Sequence, residues 1–401
     1  MIIRESYLEQ IRPYIDKEAV KIITGVRRTG KSVLLTQIRD EILSRVEKEQ
    51  IVYINFESLM YSELRDDENA FYAYLRERFV DGKKMYFFFD EIQLAKNWER
   101  VVNSLRVDLD SDIYITGSNS SILSGELATL LSGRYKQFEI LPFSFKEFIE
   151  ANPKYTVEKR ERALDEYLNF GGMPILSDYY EEDDQIKLDR LSDIYDSIIL
   201  RDVVQRLDNP NQTTIEKTAL VLMDSISSPT SVSGLVKKFP QFKNDKGISN
   251  ERFSLYLNSF RQAYIFYELE SENIRGGQRI RSETKFYVVD NGLWSSQVNG
   301  LKTNLGPKLE NVVFLELKRR GYKLYIGHVN DNEIDFVAER NGNKEYFQVA
   351  YRLPKDSNRE VGNLEIINDN YPKTLLVYEF DGVSEIDGIN IKAVSDWLLE
   401  I

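Results

Sequence analysis

The chain has 401 residues, 42% of them hydrophobic, and a formal net charge of −12; that length predicts roughly two to four domains with ordinary apolar cores. The acidic balance argues against non-specific attraction of the whole molecule to nucleic acid, although it leaves room for a local basic patch. Cysteine is absent, which excludes disulfides and thiolate metal sites, and no apolar run approaches the ~18 residues of a membrane span. The opening Met1-Ile2-Ile3-Arg4-Glu5-Ser6 has no signal-peptide apolar core, so the expected location is the cytoplasm, with no membrane partner.

Five apolar runs alternate with helical patterns up to about residue 150, at 19–24, 51–56, 86–90, 112–116 and 135–140. Their apolarity is continuous rather than alternating, which suits parallel strands buried on both faces. Helices are predicted between them near 32–46, 67–80 and 97–107. The fold class is therefore α/β, a doubly wound parallel sheet that takes its ligand at the carboxyl ends of its strands.

Between the first strand and the first helix stands Gly25-Val26-Arg27-Arg28-Thr29-Gly30-Lys31-Ser32, a G-x-x-x-x-G-K-S phosphate loop. Gly25 and Gly30 let the backbone curl, so that N–H groups from Gly25 through Arg27, Arg28, Thr29 and Gly30 to Val33 face phosphate oxygens. Lys31 is expected against the β- and γ-phosphates, and Ser32 on Mg²⁺. The third strand ends in Phe89-Asp90-Glu91: Asp90 is expected to hold Mg²⁺ and Glu91 to orient and polarise the attacking water. The fourth runs into Gly117-Ser118-Asn119-Ser120, where Asn119, or second Ser118, is expected at the γ-phosphate or the attacking water, a plain turn of turn-forming residues being the alternative. Arg134, just before the fifth strand, is expected either at a γ-phosphate, in cis or across a subunit interface, or in a surface ion pair.

Residues 151–212 read as a helical lid, with helices at 157–169 and 184–207 flanking Gly171-Gly172-Met173-Pro174. Residues 213–292 read as a winged helix: helices at 213–226, 232–239 and 249–263, then strands at 265–269 and 286–289. Arg275, Arg279 and Arg281 surround a glycine pair at the hairpin tip and are candidate DNA contacts. Glu268, Glu270, Glu272 and Glu283 lower the field there, and a protein-binding or packing module fits equally.

These elements resemble bacterial and archaeal AAA+ family ATPases that carry a C-terminal domain of unknown function. The resemblance rests on G-V-R-R-T-G-K-S (25–32), Y-I-N-F-E (53–57), F-F-D-E-I-Q (88–93), I-T-G-S-N (115–119), L-S-G-R-Y (131–135), L-P-F-S-F-K-E-F (141–148), F-G-G-M-P (170–174) and K-F-Y-V-V-D-N-G-L (285–293). It implies ATP as nucleotide, Mg²⁺ as metal, residues 1–150 as the ATPase core, Asn119 or Ser118 as polar sensor and Arg134 as arginine finger. It also implies that Gly172 and Pro174 line the adenine pocket, although a helix stop followed by a turn explains them too.

Residues 293–401 add a helix at 308–320 with Glu310, a strand at 333–338 with Asp335 and a strand at 345–350 with Gln348. This resembles the PD-(D/E)xK nuclease core, an α+β fold, with its third element degraded. Gln348 stands at the Glu position and Ala350 at the Lys position, which weakens metal binding and charge stabilisation. Arg352 falls on the same strand face as a partial replacement. His328, the only histidine, is given no role. The expectation is a Mg²⁺-dependent ATPase acting as a switch or motor on DNA or on a protein partner. A slow-turnover regulatory switch and an ATP-gated nuclease are the alternatives.

Overall fold

The computed structural model describes residues 2–123, 131, 133–239, 247–276, 278–298, 305–353 and 359–400. They form two compact units: 1–140 with Gln262–Tyr264, and Leu141–Arg261 with Ile265–Ile401.

The first unit runs α1 (Glu5–Ile11), β1 (Val20–Thr24), α2 (Lys31–Leu43), β2 (Ile51–Asn55), α3 (Glu68–Arg76), β3 (Met85–Asp90), α4 (Trp98–Asp108), β4 (Ser111–Gly117) and β5 (Tyr135–Glu139). The strands form one parallel sheet in the order β2-β3-β4-β1-β5. Alternate residues along each strand enter opposite cores. Ile23, Phe88 and Tyr114 pack with Tyr7 and Leu8 of α1 and Leu34 and Ile38 of α2. Ile22, Phe87, Phe89, Ile113 and Ile115 pack with Phe71 of α3 and Val102 and Leu105 of α4. This is why the strands read as unbroken apolar runs.

A buried polar network pins β1 beside β4 at the end of the sheet away from the phosphate loop. Lys21, fully buried, pairs with Asp112, which also accepts from the Tyr114 hydroxyl at 2.9 Å and the Asp16 N–H at 2.7 Å. Burial pulls the Lys21 ammonium down from its ordinary range, opposed by Asp112.

The second unit begins with α5 (Phe145–Ala151), α6 (Arg160–Phe170), α7 (Asp184–Ile198), α8 (Gln212–Met223), α9 (Val232–Lys238) and α10 (Asn250–Gln262). Next come β6 (Phe266–Asn273), β7 (Gln278–Val288), α11 (Asn291–Gln297), α12 (Leu305–Arg319), β8 (Lys323–Val329), β9 (Asn332–Arg340) and β10 (Asn343–Arg352). The chain ends with α13 (Arg359–Glu365), β11 (Lys373–Glu379), β12 (Glu385–Ile386), β13 (Ile389–Ala393) and α14 (Val394–Trp397). Helix α7 stops at Ile198 and passes into a π-helical turn at Ile199–Val203, short of the single helix expected to 207.

The break expected between residues 292 and 293 is corrected by the sheet. The β6–β7 hairpin joins the C-terminal strands in one eight-stranded sheet, ordered β12-β13-β11-β10-β9-β8-β6-β7. β6 pairs in parallel with β8 through Ser271↔Ile326, Glu272↔Gly327 and Asn273↔His328. An isolated hairpin would leave that edge of β6 unpaired, and β8 satisfies it. The break expected after 150 likewise falls after Ile140.

Three of the sequence motifs interlock at one joint in this unit. Asp290 caps α11 by accepting the N–H groups of Gly292 and Leu293 at 2.9 and 3.1 Å, and it also accepts that of Gly172 at 2.7 Å. The Phe143 N–H donates to the Gly172 carbonyl at 2.7 Å. A Cβ on Gly172 would lie 2.3 Å from the Phe143 carbonyl oxygen, so only glycine permits the approach.

Burial raises the Asp290 carboxyl to about 7, against the pull of its three N–H donors. The folded value lies above that of an unfolded aspartate. Its contribution to stability is therefore present below about pH 4 and is lost as pH rises toward 7. Asp290→Asn turns an amide NH₂ toward an N–H donor and is expected to lower Tm. Thermal unfolding of both proteins should show the gap wider at pH 5 than at pH 8.

Candidate functional site

The phosphate loop leaves β1 at Gly25, whose φ of 142° lies outside the range comfortable for a side chain, and enters α2 at Gly30, with φ 91°. Lys31 opens the helix and is buried. Its ammonium lies inside the curl, 3.0 Å from the Gly25 carbonyl oxygen and 3.1 Å from that of Val26. The Thr29 hydroxyl donates to Val26 O at 2.9 Å and tightens the turn. Arg27 faces Glu57 at 3.8 Å, Arg28 is exposed with φ 73°, and Val33 stands half-exposed on the first turn of α2.

Asp90 ends β3 almost completely buried, and its carboxylate collects four donors. The Ser32 hydroxyl reaches Oδ1 at 3.0 Å and that of Thr116 reaches it at 2.6 Å; the Asn55 amide and Tyr53 hydroxyl reach Oδ2 at 3.2 and 3.3 Å. Glu91 follows in the left-handed region (φ 52°, ψ 47°), its N–H donating to Thr116 Oγ1 at 2.9 Å and its carboxylate accepting from Gln93. Burial pushes the Glu91 carboxyl above its ordinary value, opposed by the Lys31 ammonium. Ser118 and Asn119 directly follow β4, the strand between β1 and β3, and both are buried.

Tyr53, Asn55, Gln93 and Thr116 were not singled out as site residues. Asn55, Thr116 and Gln93 sit at or just beyond the carboxyl ends of apolar strands, and that placement is the signal by which they could have been found; Tyr53 lies mid-strand in β2.

Arg134 immediately precedes β5. Its carbonyl accepts from the Val20 N–H at 2.9 Å, and Val20↔Tyr135 is the first pair of the β1–β5 ladder, whose last is Thr24↔Glu139. Arg134 thus stands at the opposite end of the strands from the loop that follows Thr24, about 13–16 Å away along them at ~3.3 Å per residue. It is exposed there.

Gly172 spends its N–H and its carbonyl on Asp290 and Phe143, and Pro174 opens a short 3₁₀ turn (Pro174–Asp178). Of the hairpin arginines, Arg275 is exposed and donates to Asn330 at 3.1 Å. Arg279 and Arg281 lie on β7, but their side chains fall outside the described residues.

The second unit carries Glu310 on α12, Asp335 on β9 and Gln348 on β10. Gln348 donates to Glu360 at 3.0 Å and accepts from the Asp335 N–H at 3.2 Å, and Asp335 Oδ2 accepts from the Val349 N–H at 2.8 Å. The cation among them is not Arg352, which is exposed. It is Lys285 of β7, its ammonium 2.9 Å from Glu310, 2.7 Å from Glu333 and 3.5 Å from Asp335. The Tyr287 hydroxyl adds a bond to Glu310 at 2.7 Å. Burial raises the Asp335 carboxyl to about 8, with Glu310 adding to the rise and Lys285 opposing it. Among the described residues no group of three or more His, Asp or Glu is arranged to hold a metal ion. His328 meets Ser271 at 3.2 Å. No helix among the described residues is long and apolar enough to cross a membrane.

An AAA domain model matches residues 17–149, the phosphate loop and the Asp90 hub included, and a domain of unknown function (DUF8612) matches 161–304. An uncharacterized protein of Haemophilus influenzae is 39% identical over 411 residues, covering 100% of this chain and 99% of that protein. The chain belongs to this family of AAA-domain proteins. The family reaches the archaea: the uncharacterized protein MJ1544 of Methanocaldococcus jannaschii is 34% identical over 92% of this chain and 84% of its own. Among solved structures, the Aeropyrum pernix ORC2 protein is 11% identical, with 75% of this chain and 94% of that chain covered and a TM-score of 0.41.

Lys285→Met strands three carboxylates without their cation. The expected cost is about 3–5 kcal/mol. The carboxyls then protonate in the folded state, so the loss is deepest above pH 8 and shrinks toward pH 5. Urea unfolding of both proteins at the two pH values measures it; equal stability would remove Lys285 from the role of counter-ion.

Proposed function

We propose that the protein is an ATP-hydrolysing molecular switch or motor, in which Mg²⁺-ATP binds the phosphate loop and its hydrolysis rearranges the C-terminal elements. The observation that carries this reading is the convergence of Ser32, Asp90 and Thr116 beside a buried Glu91. A hydroxyl and a carboxylate side by side are the hard oxygen donors that Mg²⁺ takes together with phosphate. Ser32 and Asp90 would hold the ion, which when bound offsets charge on the β- and γ-phosphates.

Lys31 adds a second positive charge at the phosphates. Glu91 orients the attacking water and accepts its proton as the water oxygen bonds to the γ-phosphorus and the bond to the ADP oxygen breaks. Burial strengthens Glu91 as a base. Asn119, or Ser118 beside it, contacts the γ-phosphate from β4. Arg134, from the far end of the strands, serves only nucleotide held by a second copy.

Helices α8–α10 with the β6–β7 hairpin are read as a winged helix, and α12 with β8–β11 as a nuclease-like fold. Lys285 reaches over from β7 and neutralises the carboxylates of that fold, so the tail binds or relays rather than cuts.

Phosphate release with and without duplex DNA, measured on the wild type, Lys31→Ala and Glu91→Gln, tests the proposal. Lys31→Ala should lose nucleotide binding. Glu91→Gln should keep ATP and lose turnover by at least ~100-fold; full turnover would remove Glu91 from the chemistry. Stimulation by DNA assigns the switch to nucleic acid, and its absence assigns it to a protein partner.

A further inference from the structure

Arg4 lies outside every motif of the chain, yet its side chain is 2% exposed and reaches the phosphate loop. Its Nη1 donates to the Thr29 carbonyl oxygen at 3.0 Å, and it is the atom that a Cβ on Gly30 would approach, at 3.9 Å. The backbone that carries it is held from two sides. The Arg4 N–H donates to Gln37 Oε1 on α2 at 3.1 Å, and Gln37 Nε2 donates back to the Ile2 carbonyl at 2.8 Å. The Arg4 carbonyl accepts from the N–H groups of Tyr7 and Leu8 at 3.0 and 3.1 Å, which starts α1. The Tyr7 ring lies beneath the guanidinium, 4.9 Å from centroid to Cζ. Tyr7 and Leu8 pack with Leu34 and Ile38 of α2 in one core, so the anchor moves with the helix that the loop opens.

We propose that Arg4 is a positioning residue for the phosphate loop, fixing the Thr29–Gly30 peptide in the orientation that binds phosphate. A trans peptide points its carbonyl and its N–H in opposite directions. Holding the Thr29 carbonyl toward Arg4 turns the Gly30 N–H away from it, toward the side on which a phosphate loop gathers its donors. Gly30, free to rotate at a φ of 91°, supplies little resistance of its own to a peptide flip. A flipped peptide would present a carbonyl oxygen to the phosphates and repel them. The guanidinium supplies the restraint that the glycine lacks.

The inference rests on the reading of the loop as a nucleotide site, and the experiment separates the two. ADP binding by calorimetry, ATP turnover and Tm are measured on the wild type, Lys31→Ala, Arg4→Met and Arg4→Lys. Methionine keeps much of the apolar stem and removes the donor. Arg4→Met should weaken ADP binding by about 10- to 100-fold, the range of one lost charge-assisted hydrogen bond. It should raise KM for ATP while kcat stays within about twofold, and Arg4→Lys should recover part of the affinity. A wild type that binds no ADP overturns the nucleotide reading itself. A wild type that binds, with Arg4→Met binding equally well, overturns the role of Arg4 alone. So does a loss of kcat and Tm together that lysine leaves unrepaired, which marks Arg4 as a packing residue.

Discussion

The carboxylate of Asp90 is the point on which the first unit converges. Ser32 arrives from the phosphate loop, Thr116 from β4, and Tyr53 and Asn55 from β2, all onto one side chain at the end of β3. A nearly buried carboxylate is costly unless its lone pairs are filled, and hydrogen bonds to a charged acceptor are among the stronger ones. The hub therefore fixes the relative heights of three strands and one helix end. The same bonds gather the oxygen donors that a phosphate-bound cation requires. Glu91, locked in a left-handed turn with its N–H on Thr116, takes its orientation from the same network.

The second unit solves a comparable problem differently. Glu310, Glu333 and Asp335 would repel one another in a site this dry, and the chain supplies its own counter-charge in Lys285. Close approach of the backbone at the Asp290 joint is likewise a constraint of packing: a side chain on Gly172 would run into Phe143 and Tyr167, and one on Gly171 into Asp290. The glycines of F-G-G-M-P thus have a reason within their own unit, independent of any base pocket.

Much of the first unit was legible because its signals are local. Continuous apolar runs gave the five strands to within a residue or two. The glycine–lysine loop and the acidic pair mark their own positions, since each lies at the end of such a run. Lys285 illustrates the opposite case. It sits on a strand that sequence reading assigned to the hairpin of another domain, some 25 residues before Glu310 and 50 before Asp335, and no periodicity links such separations. Arg352 was the nearer choice on the strand, and the sheet left it exposed.

The amino-acid sequence by itself determined the α/β core, the phosphate loop and the acidic pair, because these depend on spacing along the chain. Only the tertiary structure decided which end of the strands Arg134 occupies, that the hairpin and tail share one sheet, which cation faces the tail's carboxylates, and that Arg4 braces Thr29. Each of these depends on strand pairing or burial between residues far apart in the chain, where the requirement to satisfy every buried polar group selects the partner.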